Sequence, residues 1–246
     1  MKKILYISSI ILLISLFLIS SYYIFEDLKK NKEQEKTLEE LINIVEQNNT
    51  EVEQEKTNID LHQLYLINND TVGWIKIENT NINYPIMQSI DKPNYYLQKD
   101  FYKKYSSYGT PYLSEQCNIK TSNNLVIYGH HMKNRKMFGE LEDYKIEDFY
   151  KKHKLIDFIT LESKEKYEIF AIFKTIAYSQ NGFKYYEYIN FNNENEFNTF
   201  VNKCKTISFY ETDIKPQYGD KLITLSTCEY SSKNGRLAIV ARRVND

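Results

Sequence analysis

Hydrophobic and polar positions change pattern twice along the chain and divide it into three parts. Residues 4–25 form an apolar run without a charged side chain. Residues 26–58 are charged, with both signs interleaved. From residue 72 onward, apolar positions alternate with polar ones, which is typical of β-strands. The pattern therefore predicts an N-terminal apolar segment (residues 1–25), a charged helical stalk (26–58) and a folded domain (59–246).

The apolar run predicts a membrane-spanning helix. At a rise of ~1.5 Å per residue it is long enough for a hydrocarbon core of ~30 Å. A cleaved signal peptide is the alternative, but no small-residue cleavage site follows the run. Lys2 and Lys3 favour a cytoplasmic N-terminus, whereas Lys29, Lys30 and Lys32 on the other side weaken that charge asymmetry. We therefore expect an uncleaved single-pass anchor. Because the flanking charges do not decide its orientation, the orientation is inferred from the function of the domain.

The stalk carries one apolar stripe at helical spacing, formed by Leu38, Leu41, Ile42 and Val45. The stripe lasts barely two turns, which favours a solvated helix over a coiled coil. Residues 59–67 predict a short amphipathic helix that packs on the domain that follows.

The folded domain is rich in predicted strands, with a few helices between them. Strands are predicted at residues 74–77, 82–86, 109–113, 124–130, 155–161, 167–177, 221–225 and 236–242, and helices at 137–144, 146–152 and 195–207. Because strands and helices do not alternate regularly, this order predicts a mostly β fold, either a mostly antiparallel sheet or a closed barrel with peripheral helices.

Composition narrows the class of function. The chain has 246 residues and 42% hydrophobic content, enough for one sizeable domain with appendages. Its net charge of -1 gives no electrostatic reason to expect nucleic acid as a partner. The three cysteines form no CxxC pair, so we expect no metal site and no cofactor. Cys117 and Cys204 are interpreted as small buried hydrophobic residues.

The third cysteine has a more reactive setting. Cys228 ends one predicted strand, Arg236 begins the next, and the polar segment between them contains the turn sequence of Asn234 and Gly235. If the two strands pair as a hairpin, the thiol and the guanidinium lie at the same rim of the sheet. A thiol beside a fixed positive charge is a candidate nucleophile.

His130 is the candidate acid–base partner for this cysteine, because it follows a buried strand and a glycine. His131 is its neighbour, and adjacent side chains on extended backbone point to opposite faces, so at most one of the two should face Cys228. A metal-binding histidine pair is disfavoured, since no further ligand lies at a standard spacing. His62 and His153 are interpreted as surface residues.

Three separated motifs resemble the sortases. The sequence Thr-Leu-Ser-Thr-Cys at residues 224–228 resembles the sortase signature TLxTC. The sequence Tyr-Gly-His-His-Met at 128–132 resembles the class B histidine motif YGHxM, and Arg236 lies at a distance from the cysteine compatible with the sortase arginine. A helix before the cysteine strand, here at 195–207, is a class B trait. The resemblance covers about residues 60–246.

The resemblance implies a closed sortase-type β-barrel with N-terminal helices and one inserted helix before the catalytic strand. It implies a cysteine transpeptidase that cleaves a C-terminal sorting peptide after a threonine, with Cys228 as nucleophile, His130 as general acid and base, and Arg236 as oxyanion stabiliser. Ser226 and Thr227 are the expected substrate-binding residues. A packing role for Thr227 stays open, because its side chain alternates away from Cys228.

The resemblance also implies the partners and the location. The partners would be a surface protein's sorting peptide, an amine of peptidoglycan or its lipid-linked precursor, and the cell membrane of a Gram-positive bacterium, with the catalytic domain outside. In some class B members an acidic residue stands two positions after the cysteine; here Tyr230 stands there and Glu229 is adjacent. This departure puts an assisting carboxylate in doubt.

Two other classes of function stay open at this point. One is an inactive membrane-tethered module that binds extracellular peptides. The other is a cell-wall L,D-transpeptidase that uses Cys228 and His130 on peptidoglycan itself.

Overall fold

The computed structural model describes residues 2–46 and 61–244 of the chain. Contacts between residues separate two compact units, residues 1–51 and 52–246. The first unit consists, where it is described, of one helix, α1 (Lys2–Glu46).

Helix α1 continues from the predicted anchor into the predicted stalk without a break. Among the described residues it is the one helix long and apolar enough to cross a membrane, a property that a signal sequence would share. Residues 47–58 of the predicted stalk, and the predicted boundary that follows them, lie outside the described residues. The predicted domain boundaries therefore stay predictions.

The second unit is a closed β-barrel. Its strands are β1 (Thr71–Lys76), β2 (Asn83–Met87), β3 (Tyr112–Leu113), β4 (Asn124–Tyr128), β5 (Leu155–Ile159), β6 (Lys164–Ile176), β7 (Leu222–Cys228) and β8 (Gly235–Arg243). The order around the barrel is β1-β2-β3-β4-β7-β8-β6-β5, and β5 pairs with β1 to close it. Closure pairs both sides of each strand, so the barrel has no open sheet edge.

Two strand pairs in the barrel are parallel, and one of them positions the site. Strand β2 meets β3 at Met87 and Tyr112, and β4 runs alongside β7 as far as Tyr128 and Ser226. Strands β4 and β7 are buried over nearly their whole length, which is typical of parallel strands. Because they run in the same direction, the segments that follow them emerge at the same end of the barrel.

Three helices of the second unit lie outside the barrel wall. They are α2 (His62–Ile67), α3 (Glu147–Lys152) and α4 (Glu194–Thr206). Helix α4 is inserted between β6 and β7, and the side chain of Asn193 caps it by accepting the Glu196 N–H at 3.0 Å. Its apolar face is buried through Phe197, Phe200, Val201 and Cys204.

The mostly β fold, the closed barrel and the inserted helix predicted from the sequence are confirmed. Two elements differ from the prediction. Strand β3 is shorter than residues 109–113, because Pro111 has no N–H for the ladder and Gly109 has a φ of 59°. The helix predicted at 137–144 is a 3-10 helix, Gly139–Lys145, and it begins later than predicted because Met137 has a left-handed φ of 53°, which a right-handed helix does not contain.

Candidate active site

The hairpin of β7 and β8 places Cys228 directly opposite Arg236. The Glu229 N–H donates to the Gly235 carbonyl at 3.0 Å and closes the hairpin mouth. Asn234 tolerates the left-handed φ of 60° that the turn requires. A Cβ at residue 235 would lie 2.2 Å from the Glu229 carbonyl oxygen, so the turn requires glycine there. Thiol and guanidinium therefore share one rim, as the sequence predicts.

His130 reaches the same rim from β4. The Gly129 N–H donates to the Ser226 carbonyl at 3.1 Å, which extends the pairing of β4 with β7 by one residue beyond β4. The ring of Phe138 fills the space where a Cβ of Gly129 would lie, at 2.6 Å. His130 Nε2 lies 2.7 Å from the Leu97 carbonyl oxygen. Because a carbonyl only accepts, Nε2 carries the proton in this contact.

These groups lie around one cleft of about 310 Å³. Cys228, His130 and Arg236 all line it, and so do Ser226 and Thr227. A larger cavity of about 430 Å³, next to Leu222 and Arg243, contains no cysteine or histidine. Chemistry and not size therefore identifies the candidate site, and all five residues singled out from the sequence lie around it.

Within residues 2–46 and 61–244, Arg236 forms no salt bridge with a carboxylate, and Glu115 is the acidic residue that lines the same cleft. Its Nη1 donates to the neighbouring Gly235 carbonyl at 2.9 Å, and the side chain is half-buried in the cleft. The remaining guanidinium donors are available to a bound group. A guanidinium combines a positive charge with a planar fork of donors, which suits the binding of an oxyanion.

Tyr185 forms part of the cleft wall, and sequence reasoning did not find it. Its buried hydroxyl pairs with the Ser226 hydroxyl at 2.5 Å. Burial raises the pKa of Tyr185 to about 12, against the opposing effects of the Ser226 hydrogen bond and the Arg236 charge. The phenol therefore stays neutral beside the guanidinium. No local pattern could have indicated it, because the hydroxyl pair joins residues 41 positions apart.

The three thiols differ in exposure, as the sequence predicts. Cys117 and Cys204 are buried, whereas Cys228 is partly exposed. Burial raises the pKa of Cys117 to about 11 and that of Cys204 well above its ordinary value. Only Cys228 of the three therefore presents a thiol to the cleft.

Glu229 directs its carboxylate away from the cleft lining. It is only 5% exposed, and it accepts hydrogen bonds from Ser231 Oγ at 2.6 Å and Lys145 Nζ at 2.9 Å. Burial would raise the pKa of Glu229, but the hydrogen bonds from Ser231 and Lys145 outweigh burial and lower it. The carboxylate is thus an ionised structural group, and His130 is oriented by a backbone carbonyl instead.

Side chains also join the segment at the end of β4 to the segment at the end of β7. Thr227 Oγ1 donates to the Gly129 carbonyl at 2.8 Å, and His131 Nδ1 lies 2.9 Å from the Cys228 carbonyl oxygen. His130 lines the cleft while His131 does not, as expected for neighbours on extended backbone. No group of three or more His, Cys, Asp or Glu side chains within the described ranges could hold a metal ion.

A closed β-barrel with a cysteine, a histidine and an arginine around one cleft is the arrangement of a thiol-dependent acyl-transfer enzyme. Comparison with known proteins gives the family. Residues 75–244 match the sortase domain family. The chain belongs to the sortases, and it is a cysteine transpeptidase of the sortase B type.

Two relatives cover nearly the whole chain. Sortase B of Staphylococcus aureus is 32% identical over 236 residues, which is 94% of this chain and 93% of the relative. Sortase B of Listeria monocytogenes is 30% identical over 239 residues, 95% of this chain and 94% of the relative.

Solved structures agree with this assignment. A Staphylococcus aureus sortase B–substrate complex superposes with a TM-score of 0.75 at 29% identity, covering 90% of this chain and 99% of the solved one. A sortase B in complex with triglycine superposes with the same TM-score of 0.75 at 29% identity and covers 89% of this chain and 99% of its own. The resemblance drawn from three short motifs is therefore confirmed.

Proposed function

We propose that this chain cleaves the C-terminal sorting peptide of a surface protein after a threonine and joins the new carboxyl end to a peptidoglycan amine. The observation that carries this proposal is the single cleft lined by Cys228, His130 and Arg236. Family membership supports the reaction type, and the residue roles follow from the chemistry of each group.

Cys228 is the nucleophile. Its thiolate sulfur attacks the carbonyl carbon of the threonine, and a C–S bond forms as the carbonyl oxygen takes up negative charge. When the C–N bond of the peptide breaks, the electron pair goes to the leaving amine. The product of this half-reaction is a thioester between Cys228 and the surface protein.

His130 transfers the protons. In the first half-reaction it donates a proton to the leaving amine, and in the second it takes one from the incoming amine. The incoming nitrogen attacks the thioester carbonyl, the C–S bond breaks, and the sulfur leaves as a thiolate. The Leu97 carbonyl, at 2.7 Å from Nε2, holds the ring in the cleft.

Arg236 stabilises the oxyanion and holds the substrate backbone. Its unneutralised charge, fixed opposite Cys228 by the β7–β8 register, supports this role. Ser226 and Thr227 line the cleft beside the bound peptide, and the buried hydroxyl pair of Ser226 and Tyr185 holds that wall in place. The acceptor is an amine of peptidoglycan or of its lipid-linked precursor, and the triglycine complex of a related sortase B is consistent with a glycine-like acceptor.

The apolar part of α1 anchors the enzyme in the cell membrane as a single span, with the catalytic domain outside. The uncharged run at residues 4–25 and the two lysines before it support this arrangement. An extracellular domain would meet both the surface protein and the cell wall of a Gram-positive bacterium.

The deciding experiment incubates the chain, held in detergent micelles, with a library of pentapeptide sorting motifs, with and without triglycine. We expect cleavage after threonine and, with triglycine, a transpeptidation product. Cys228→Ala should abolish both products, whereas Cys204→Ala, which alters a thiol buried in α4, should retain them. Inert wild-type protein, or undiminished cleavage by Cys228→Ala, would refute the proposal.

The same assay separates the two competing functions. An inactive binding module would retain peptides without forming a Cys228 thioester. An L,D-transpeptidase would cut muropeptides in the absence of any sorting peptide.

A further inference from the structure

Hydrogen bonds to β7 continue past the end of β4, where the regular pairing of these two strands stops. The Gly129 N–H donates to the Ser226 carbonyl at 3.1 Å. One residue further along, Thr227 Oγ1 donates back to the Gly129 carbonyl at 2.8 Å. These bonds connect the segment that carries His130 to the segment that carries Cys228.

Two further side chains complete this connection, each binding the other segment's backbone. His131 Nδ1 lies 2.9 Å from the Cys228 carbonyl oxygen, and the Tyr230 hydroxyl donates to the His131 carbonyl at 3.1 Å. The two rings meet edge to face with centroids 5.1 Å apart. Because a carbonyl only accepts, His131 Nδ1 carries a proton, and this holds for both the neutral and the cationic ring.

The peptide group after Cys228 is held from both sides. Its carbonyl accepts from His131, and its N–H, which belongs to Glu229, donates to the Gly235 carbonyl at 3.0 Å. The same Gly235 oxygen accepts from Arg236 Nη1 at 2.9 Å. The backbone of the cysteine is therefore fixed between the histidine segment and the arginine strand.

We propose that His131 and Tyr230 act together as a positioning clamp that sets the separation of Cys228 and His130; this inference rests on the proposed function of those two residues. Neither clamp residue lines the cleft, so we assign both a positioning role and not a catalytic one. Their effect comes through geometry, because a displacement of about 1 Å between reacting groups can cost about 100-fold in rate.

Tyr230 supplies the hydroxyl donor of the clamp. A carboxylate at this position, as in some class B sortases, could not donate to the His131 carbonyl. Tyr230 is 69% exposed, so burial of its ring is not what holds it in place. Its hydrogen bond to the His131 carbonyl and its ring contact with His131 hold it in place instead.

Four variants in the same peptide-cleavage assay test the clamp. His131→Ala removes the donor, and His131→Asn restores an N–H near the position of Nδ1. We expect His131→Ala to lower kcat about 10- to 100-fold with KM changed less than about threefold. His131→Asn should recover kcat to within about threefold of wild type, and Tyr230→Phe should lower it severalfold. His153→Ala, remote from the cleft, is the control and should match wild type.

The pair should also be coupled. If His131 and Tyr230 act as one unit, the double variant His131→Ala/Tyr230→Phe loses less than the product of the two single losses. Unchanged kcat in His131→Ala, equal losses for the Ala and Asn variants, or a change confined to KM would each overturn the clamp. If His131→Ala fails to fold, the kcat values of His131→Asn and Tyr230→Phe relative to wild type decide whether the clamp acts.

A spectroscopic measurement tests the contact without catalysis. Side-chain ¹⁵N NMR of the chain in micelles should show His131 protonated at Nδ1, and a ring protonated only at Nε2 would overturn the clamp. If the wild type cleaves no peptide, the proposed function fails, while the NMR measurement still decides whether the clamp exists.

Discussion

Arg236 differs from the other charged residues near the site because its environment leaves its charge available. Arg242 and Arg243, on the same strand, pair with carboxylates of Glu168 and Glu165. Arg236 donates to its neighbour's carbonyl and, within the described part of the chain, meets no carboxylate. A neutralised guanidinium would stabilise an oxyanion poorly, so this difference along one strand has a functional consequence.

Replacing Arg236 by alanine should lower kcat/KM at least 100-fold, because loss of one oxyanion donor costs about 3–4 kcal/mol. Arg236→Lys should recover part of the rate, since an ammonium keeps the charge and loses the planar fork of donors. Peptide-cleavage kinetics measure the effect, and circular dichroism should show an unchanged fold. Lys233→Ala, an exposed change in the same hairpin loop, is the control. Near-normal turnover in Arg236→Ala would contradict the assigned role.

At the level of single residues, the sequence identified the groups with distinctive chemistry and missed those that act through contact. Cys228, His130 and Arg236 carry reactive or charged groups at strand ends, so pattern and motif point to them. Tyr185 has no such signal, because its place in the wall depends on a contact across the fold. The alternation of side chains predicted that His131 turns away from the thiol. It could not predict that His131 hydrogen-bonds to the Cys228 carbonyl.

Between elements, an ion pair joins the β7–β8 loop to the 3-10 helix Gly139–Lys145. Lys145 Nζ binds Glu229 at 2.9 Å and also binds Glu142. The pKa of Lys145 is raised: burial opposes the shift, and the hydrogen bonds to Glu142 and Glu229 outweigh it. Since Glu229 is buried and hydrogen-bonded, this pair should contribute more to stability than the exposed surface pairs do.

The lowered pKa of Glu229 predicts a pH dependence of stability. Its contribution is fully present above the ordinary glutamate pKa of about 4.3 and is lost as the pH falls through the lower pKa of the folded state. Glu229→Gln should therefore cost roughly 1–3 kcal/mol near pH 7, and this difference from wild type should shrink in acid. Thermal unfolding between pH 7 and pH 3 measures it. Glu187→Gln, in an exposed pair with Lys184, is the control, and a cost independent of pH would exclude the ion pair as the cause.

The order of elements was predictable because each has a local hydrophobic period, and α4 is the clearest case. Its predicted span, residues 195–207, agrees with the observed helix to within one residue at each end. Strand β3 was less predictable, since it has only two residues, which are too few to show a hydrophobic period.

For the molecule as a whole, a closed barrel was one of two architectures that the sequence allowed. The parallel pairing of β4 with β7 joins residues about 100 positions apart, and no local period encodes such a pairing. The motifs resolved the ambiguity because they identified a family whose fold closes. The position of the site, at the common end of two parallel strands, follows from the closed topology.

Anchoring belongs to this scale as well. The proposed membrane span predicts that the protein remains with the membrane fraction after an alkaline carbonate wash. Intact-mass analysis should find the N-terminal residues still attached, and external protease should digest the catalytic domain. Loss of the first 25 or so residues would instead identify a cleaved signal peptide. Replacing the apolar residues at 10–14 with serine is the control and should release the protein.

The place of β8 in the barrel has a consequence for the timing of synthesis. Although it is the last strand to be made, β8 lies between β7 and β6, and it carries Arg236. A nascent chain that has reached β7 already contains the thiol and the histidine, yet it has neither a closed barrel nor the positive charge opposite the sulfur. The β6–β8 pairing spans helix α4 and strand β7 in the sequence, and contacts of such separation slow folding. The guanidinium of Arg236 is therefore set opposite the Cys228 thiol only after β8 has been made and has paired with β7.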